Sequence, residues 1–369
     1  MQPPAFGGGR LLDSPGGTRG GVRHRELLAE PWQTGSMDTE AGGVRAGGNG
    51  HPGPAAFLSP DGPPSAGAAS GAWQAAVAGA GPEDGADGWR GRLAGVLELV
   101  RREVEGGIEA DQFGFDPEFN ERVLLPLGRL LYRHWFQIGM RGLEHVPAEG
   151  AALVVANHSG TLPLDAVMLQ TGLHDEHPAQ RNLRLLGANL VYDLPLLGSI
   201  ARKGGHTRAC PADAHQLLQM GEVVGVFPEG FKGIGKHFSE RYQLRRFGRG
   251  GFAATAIRAQ VPIIPCAIVG AEETYPMLGN FKPLARLLGL PYFPVTPLFP
   301  WLGPLGAVPL PSRWLIEFCP PVLASEYAPG DERDPAVVAD LSGRVRGTVQ
   351  RKLDDLLAER GPAFGSSRR

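Results

Sequence analysis

From Ala151 onward, short apolar runs of strand length alternate with stretches long enough to hold a crossover helix. The runs are 151–156, 183–186 (interrupted by Arg184), 223–227, 262–269 and 314–318. That alternation predicts an α/β fold with a mostly parallel central sheet flanked by helices. The run from Ile263 to Val269 has no polar alternation, as expected for a strand covered on both faces, and Pro265 within it predicts an irregular point or an unmade rung. Three helical patterns frame the sheet. Leu93, Val96, Leu97, Val100 and Val104 share one face of a first helix, with Arg101 and Arg102 outside it. After Asp116-Pro117, which reads as an N-cap and first turn, the positions Val123, Leu124, Leu127, Leu130, Leu131, Trp135 and Ile138 keep the helical period. Arg122, Arg129 and Arg133 charge this second helix, and Pro126 predicts a kink in it. Near the other end, Val338, Leu341, Val345, Val349, Leu353 and Leu356 recur at three- and four-residue steps until Gly361-Pro362 stops the pattern.

Two segments escape these periods. Up to Gly88 the chain is dominated by Gly, Ala and Pro and builds no apolar face, so residues 1–88 read as disordered. This stretch has no continuous apolar core of a secretory signal, and Asp13, Glu26, Glu30 and Asp38 argue against a transit peptide. One folded domain is expected over 89–361, with N-terminal amphipathic helices over 91–140, a final helix over 335–360 and a tail at 362–369. The second segment, 284–310, is apolar and aromatic but interrupted by six prolines. It cannot persist as a spanning helix and either folds over the core or presses against lipid. A basic amphipathic helix with a terminal Trp, as over 117–138, fits a membrane interface or simple packing on the domain equally well.

Composition narrows the function classes. The 369 residues carry a formal net charge of −2, so nothing calls for a nucleic-acid partner. Cys210, Cys266 and Cys319 are scattered, without CxxC spacing, which fits a reducing compartment and argues against a Cys-rich zinc site.

Candidate chemistry lies at two strand ends. Asn157-His158-Ser159-Gly160-Thr161-Leu162-Pro163-Leu164-Asp165 follows one apolar strand and leads into a helical pattern, the position where open α/β sheets place ligands. An imidazole there can take a proton from an alcohol attacking a carbonyl, and a carboxylate can fix its tautomer. Equally, Asp165 could cap the helix and His158 be a satisfied loop residue. Phe227-Pro228-Glu229-Gly230 ends a second strand, with Lys232 and Lys236 following. A carboxylate beside Gly and two cations can hold a polyol headgroup and its phosphate, although Pro-Glu-Gly is also ordinary turn chemistry. Between them, Arg202-Lys203-Gly204-Gly205 offers charge and a close backbone approach. From Gly198 to Arg258 there are ten Lys or Arg against four acids, which favours an anionic ligand.

The order His158…Asp165, Gly198…Arg202, Phe227-Pro228-Glu229-Gly230 and Val261-Pro262-Ile263-Ile264-Pro265 resembles the four blocks of the glycerolipid acyltransferase superfamily. With Gly248-Arg249-Gly250-Gly251-Phe252 and Gly270-Ala271-Glu272-Glu273 in place, it resembles the bacterial lysophospholipid (1-acylglycerol-3-phosphate) and mono/diacylglycerol acyltransferase-like members, over about 116–361. The resemblance implies His158 as base, Asp165 as its orienting partner, and Arg202 on acceptor phosphate, with Glu229 and Gly230 helping to bind the acceptor. It implies an acyl-CoA or acyl-carrier-protein co-substrate, no cofactor and no metal, and peripheral work on the cytoplasmic face of a membrane. It sets no oligomeric state. One departure stands out: six residues separate His158 from Asp165 where the superfamily has four, and Pro163 occupies the expected carboxylate position. The absence of a Gly-x-Ser-x-Gly elbow fits direct attack without a serine intermediate. Two other readings remain: acylation of a neutral alcohol such as diacylglycerol, with Arg202 and Lys203 on donor phosphates, and a non-catalytic lipid-binding protein.

Overall fold

The five apolar runs lie side by side in one sheet. In the computed structural model of the chain, residues 110–361 are described, apart from Gly160 and Leu194. The expectations for 1–88, for the helix near 93–104 and for the tail at 362–369 therefore fall outside the described residues. The strands are β1 (Gly139–Arg141), β2 (Ala152–Ala156), β3 (Leu183–Gly187), β4 (Thr207–Arg208), β5 (Val223–Val226), β6 (Ile263–Val269), β7 (Gly279–Asn280), β8 (Pro294–Val295) and β9 (Leu315–Phe318). Seven of them form a sheet in the order β1-β9-β6-β2-β5-β3-β4, and β7 pairs with β8 in a separate hairpin. From β6 to β4 the pairing is parallel; β9 runs antiparallel to β6, and β1 follows β9. The sheet is thus mostly parallel, and β6 is buried at every position.

Pro265 sits where the ladder slips. Cys266 pairs with Phe318 and the Cys319 amide donates to the Pro265 carbonyl at 2.7 Å, but the next bridge down the strand joins Ile263 to Val322, one residue more on the partner side than on β6. The missing proline amide falls in that bulge, beside Pro320 and Pro321, so no regular rung is lost.

Helical segments cover both faces: α1 (117–135), α2 (Leu164–Glu176), α3 (Asn189–Asp193), α4 (Pro195–Lys203), α5 (Pro211–Gln219), α6 (Phe231–Ile234), α7 (Gly251–Ala259), α8 (Lys282–Leu287) and α9 (Pro335–Arg360). One core joins β2, β5 and β6 to α5, α7 and α9; in α9 the six regularly spaced apolar residues Val338 to Leu356 are those that bury. The other core joins the opposite face to α2 and the end of α1, with Trp314 stacked on Phe136 at 4.6 Å.

The second helix departs from expectation. Asp116 caps it, accepting from the Phe119 amide at 2.9 Å. It then alternates α-helical and π-helical stretches, with the Leu125 amide reaching back to Asn120 across the wider turn. That widening accommodates the Pro126 ring, which would strike the carbonyl of the preceding turn in a regular helix. Its arginines do not form a free basic face: Arg129 grips Asp175 of α2 with contacts of 2.7–3.0 Å, and Arg133 adds a third nitrogen at 3.2 Å. Among the described residues, no helix is long and apolar enough to cross a membrane.

Candidate active site

The parallel strands deliver their carboxyl ends to one edge, and there the chemistry gathers. β2 ends in the buried Asn157, whose side chain donates to the Ile268 carbonyl (3.0 Å) and accepts from the Ile268 amide (2.7 Å). A side-chain amide thus replaces a sheet rung and fixes the direction in which the chain leaves β2. His158 follows, its ring stacked on Phe227 at 4.5 Å.

His158 Nδ1 lies 2.7 Å from Asp165 Oδ2. The same oxygen accepts from the Ser159 amide at 2.8 Å, and Oδ1 accepts from the Ala166 amide at 2.9 Å. Asp165 occupies the first turn of α2, where unpaired backbone amides favour negative charge. An ionised carboxylate only accepts, so the Nδ1 position carries the proton and Nε2 keeps its lone pair. The two extra residues between His158 and Asp165 are absorbed by a tight turn, with the Leu164 amide bonded to the Leu162 carbonyl at 2.8 Å, so the departure in spacing leaves the pair in contact.

Glu229 reaches the same place from behind. Its side chain is wholly buried. Oε1 accepts from the His158 amide at 3.2 Å and Oε2 from the Arg245 amide at 2.7 Å. Lys236 stands 3.6 Å from that carboxylate and 2.9 Å from Glu272. Glu229, expected to meet acceptor hydroxyls, and Lys236, expected to meet a phosphate, are both turned inward here, because an isolated buried charge is costly and each neutralises the other. Burial pushes the Glu272 carboxyl up to about 7 despite Lys236.

Two glycines make this closeness possible. Gly230 has φ 55° and ψ −146°, a conformation essentially confined to glycine, and it lines the cavity beside His158. At Gly233 an added Cβ would come within 2.8 Å of Glu229 Cβ and 3.0 Å of both His158 Cβ and the His158 carbonyl oxygen.

In front of the imidazole opens a cavity of about 360 Å³. Its walls come from α1 (Leu124, Leu125), α2 (Val167), β3 (Leu185, Leu186), α4 (Leu197, Ile200) and α6 (Phe231, Ile234), with Tyr292 at the His158 end. The Tyr292 hydroxyl donates to the Thr161 carbonyl at 2.6 Å. A hydrogen-bonded polar pair interrupts the mostly apolar lining: His206 and Gln170 bond at 2.9 Å, and Gln170 donates to the Gly204 carbonyl at 2.6 Å. Burial pulls the His206 imidazole down to about 4, so it is neutral near pH 7.

The remaining predicted residues are near but not in this cavity wall. α4 presents Leu197, Ile200 and Ala201 to the cavity, so Arg202 and Lys203 emerge on other sides of the helix. Arg202 is exposed and lies 5.8 Å from the Tyr192 ring; Lys203 points to Asp116 at 3.7 Å. Lys232 is exposed on α6. Sequence reading did not single out Arg208, which leaves β4 at the same sheet edge and, like Arg202, lies 5.8 Å from the Tyr192 ring. Its signal was its place a few residues after Gly204-Gly205, but a two-residue strand leaves no period to detect. Among the described residues, no group of three or more His, Cys, Asp or Glu is placed to hold a metal ion.

Residues 137–269, which include the His158–Asp165 pair and the 227–230 turn, match the family model described as Acyltransferase. The chain is 54% identical over 272 residues to an uncharacterized protein of Mycobacterium tuberculosis (strain H37Rv), covering 74% of this chain and 76% of that one. It is 26% identical over 229 residues to the Bos taurus protein named DGAT1/2-independent enzyme synthesizing storage lipids, covering 59% and 64%. A solved structure, the 1-acyl-sn-glycerophosphate acyltransferase of Thermotoga maritima, aligns with a TM-score of 0.45 at 17% identity, covering 71% of this chain and 93% of that one. The chain accordingly belongs to the acyltransferase family, in the glycerolipid acyltransferase superfamily that its four blocks resemble.

Proposed function

We propose that this protein is an O-acyltransferase that moves a fatty acyl group from an acyl thioester to a hydroxyl of a glycerolipid, with His158 as general base, working peripherally on the cytoplasmic face of a membrane. The observation that carries this reading is the 2.7 Å contact between His158 Nδ1 and Asp165 at the mouth of an apolar cavity. Nε2 takes the proton as the acceptor oxygen attacks the thioester carbonyl. The carbon–sulfur bond then breaks, and the imidazolium returns its proton to the departing thiolate of coenzyme A or acyl-carrier protein. Asp165 holds the ring and favours its cationic form in between. The apolar walls suit an acyl chain, and their volume lies at the small end of ligand pockets. No metal or prosthetic group is invoked.

A lysophospholipid is one acceptor class. A second reading, a neutral alcohol such as diacylglycerol, is favoured by the placement of the cations: Lys236 is paired inside the protein, and Arg202 and Lys203 lie outside the cavity wall. In that case Arg202, Arg208 and Lys232 would meet the donor's phosphates.

His158→Ala, assayed with purified protein and acyl-CoA or acyl-carrier-protein donors, is expected to lower acyl transfer by about 10²–10⁴ while leaving the thermal midpoint close to the parent's. Equal rates in variant and parent would reject the catalytic reading and leave a lipid-binding protein. Comparing phosphorylated with neutral acceptors in the parent separates the two acceptor classes.

A further inference from the structure

The 270–313 insertion between β6 and β9 returns the chain at the same sheet edge as His158, since Val269 pairs with Leu315. It contains α8 and the β7–β8 hairpin, and it is fastened from within. Tyr275 donates to the Ala307 carbonyl at 2.6 Å, and the ring of Phe293 meets that of Phe299 at 5.4 Å. It is also fastened to its surroundings: Tyr292 to the His158 loop, and Pro309 to the indole of Trp135 at the end of α1. Yet Leu287 is 81% exposed and Trp301 73%, and Phe281, Leu288, Leu302 and Leu305 are each more than half exposed. So many large apolar side chains left exposed within one segment mark a partner.

Charge identifies the partner. From Thr274 to Ile316 there is no Asp or Glu, while Lys282, Arg286 and Arg313 are present, in a chain whose overall charge is near zero. An acid-free stretch with exposed Leu and Trp and flanking cations matches an interface of anionic headgroups over hydrocarbon. The arginines of α1, by contrast, have carboxylate partners within the protein: Arg129 and Arg133 bond Asp175, and Arg122 pairs with Glu118.

We propose that the 270–313 insertion is the membrane-docking surface, seated on an anionic bilayer through Leu287, Leu288, Trp301, Leu302 and Leu305 with Lys282 and Arg286 on lipid phosphates. This rests on the peripheral-membrane part of the proposed function and names the surface that performs it. Docked this way, the Tyr292 end of the cavity lies next to the lipid, so a glycerolipid substrate reaches His158 without crossing water.

The test is co-sedimentation of the full chain with phosphatidylcholine vesicles, with and without phosphatidylglycerol, alongside acyl transfer to substrate in the same vesicles and in detergent micelles. Leu287→Glu/Trp301→Glu is expected to weaken vesicle partitioning at least about tenfold and to lower transfer on vesicles, with transfer in micelles unchanged. Lys282→Glu/Arg286→Glu is expected to abolish the preference for anionic vesicles. Leu323→Glu, an exposed apolar residue beside the Ile263–Val322 bridge at the opposite sheet edge, is expected to bind like the parent. The proposal is overturned if Leu287→Glu/Trp301→Glu partitions like the parent, or if Leu323→Glu is equally damaging. It is also overturned if sedimentation shows that the double substitution dissociates an oligomer while vesicle binding persists, which would make the surface an interface between copies. Because micellar activity reports acyl transfer alone, a failure of docking and a failure of chemistry are read separately.

Discussion

The sheet edge around His158 and the 270–313 insertion beside it are built on opposite principles. At the edge, polar groups bind one another inward: Asp165 accepts from an imidazole and two backbone amides, Glu229 from two more, and Asn157 splices β2 to β6. In the insertion beyond Glu273, apolar groups face outward, and hydroxyl and indole donors on backbone carbonyls help hold it to its surroundings. Position at the edge is over-determined, as the proposed general base requires, whereas the insertion spends its side chains on a surface. A catalytic group tolerates little displacement, while a surface that meets a fluid partner has no need of a single fixed contact.

Asp165→Asn strikes the over-determined region hardest. The carboxamide can donate to Nδ1, which would leave the proton on Nε2 and remove the lone pair that accepts from the acceptor alcohol. Acyl transfer is expected to fall by about 10²–10⁴, and His158→Ala/Asp165→Asn to be no slower than His158→Ala alone, because the two residues act as one unit. Additive losses in the double variant would break the pairing. Gly233→Ala is a gentler probe of the same rigidity. Its Cβ forces His158 or Glu229 to move, and kcat is expected to drop about tenfold with a smaller change in KM. An unchanged kcat would mean that the edge is softer than its hydrogen bonds suggest.

The smallest effect sits where the two regions touch. Glu272 opens the insertion, yet its carboxylate pairs with Lys236 behind Glu229. In the fold its carboxyl titrates at about 7, raised by burial from 4.5. Between those values the native protein binds more protons than the unfolded chain. The stability it contributes is therefore complete below about pH 4.5 and is lost as pH rises through about 7. Thermal melts should show the parent losing a few degrees more than Glu272→Gln between about pH 5 and about pH 8. Parallel curves would show that Glu272 stays ionised throughout.

Much of this edge was legible in the sequence because strand order and loop position are local. All five apolar runs became strands, and both chemical runs lie at carboxyl ends, as continuous apolar periods ending in polar turns imply. What escaped depends on partners far along the chain. Nothing near Glu229 announces that the Arg245 amide and Lys236 will consume its carboxylate, and nothing near Arg129 announces Asp175 on another helix. The short strands β1 and β4 have too few residues for any alternation to register. The spacing from His158 to Asp165 was a different kind of gap: a residue count measures contour length, and a tight turn lets the longer contour close to 2.7 Å.

Those short strands have a consequence of their own. A protein concentrated on a two-dimensional surface meets its copies far more often than in solution, and open sheet margins are where such encounters polymerise. Here the sheet is bounded by three residues on one side and two on the other, too little backbone to template a neighbour's strand.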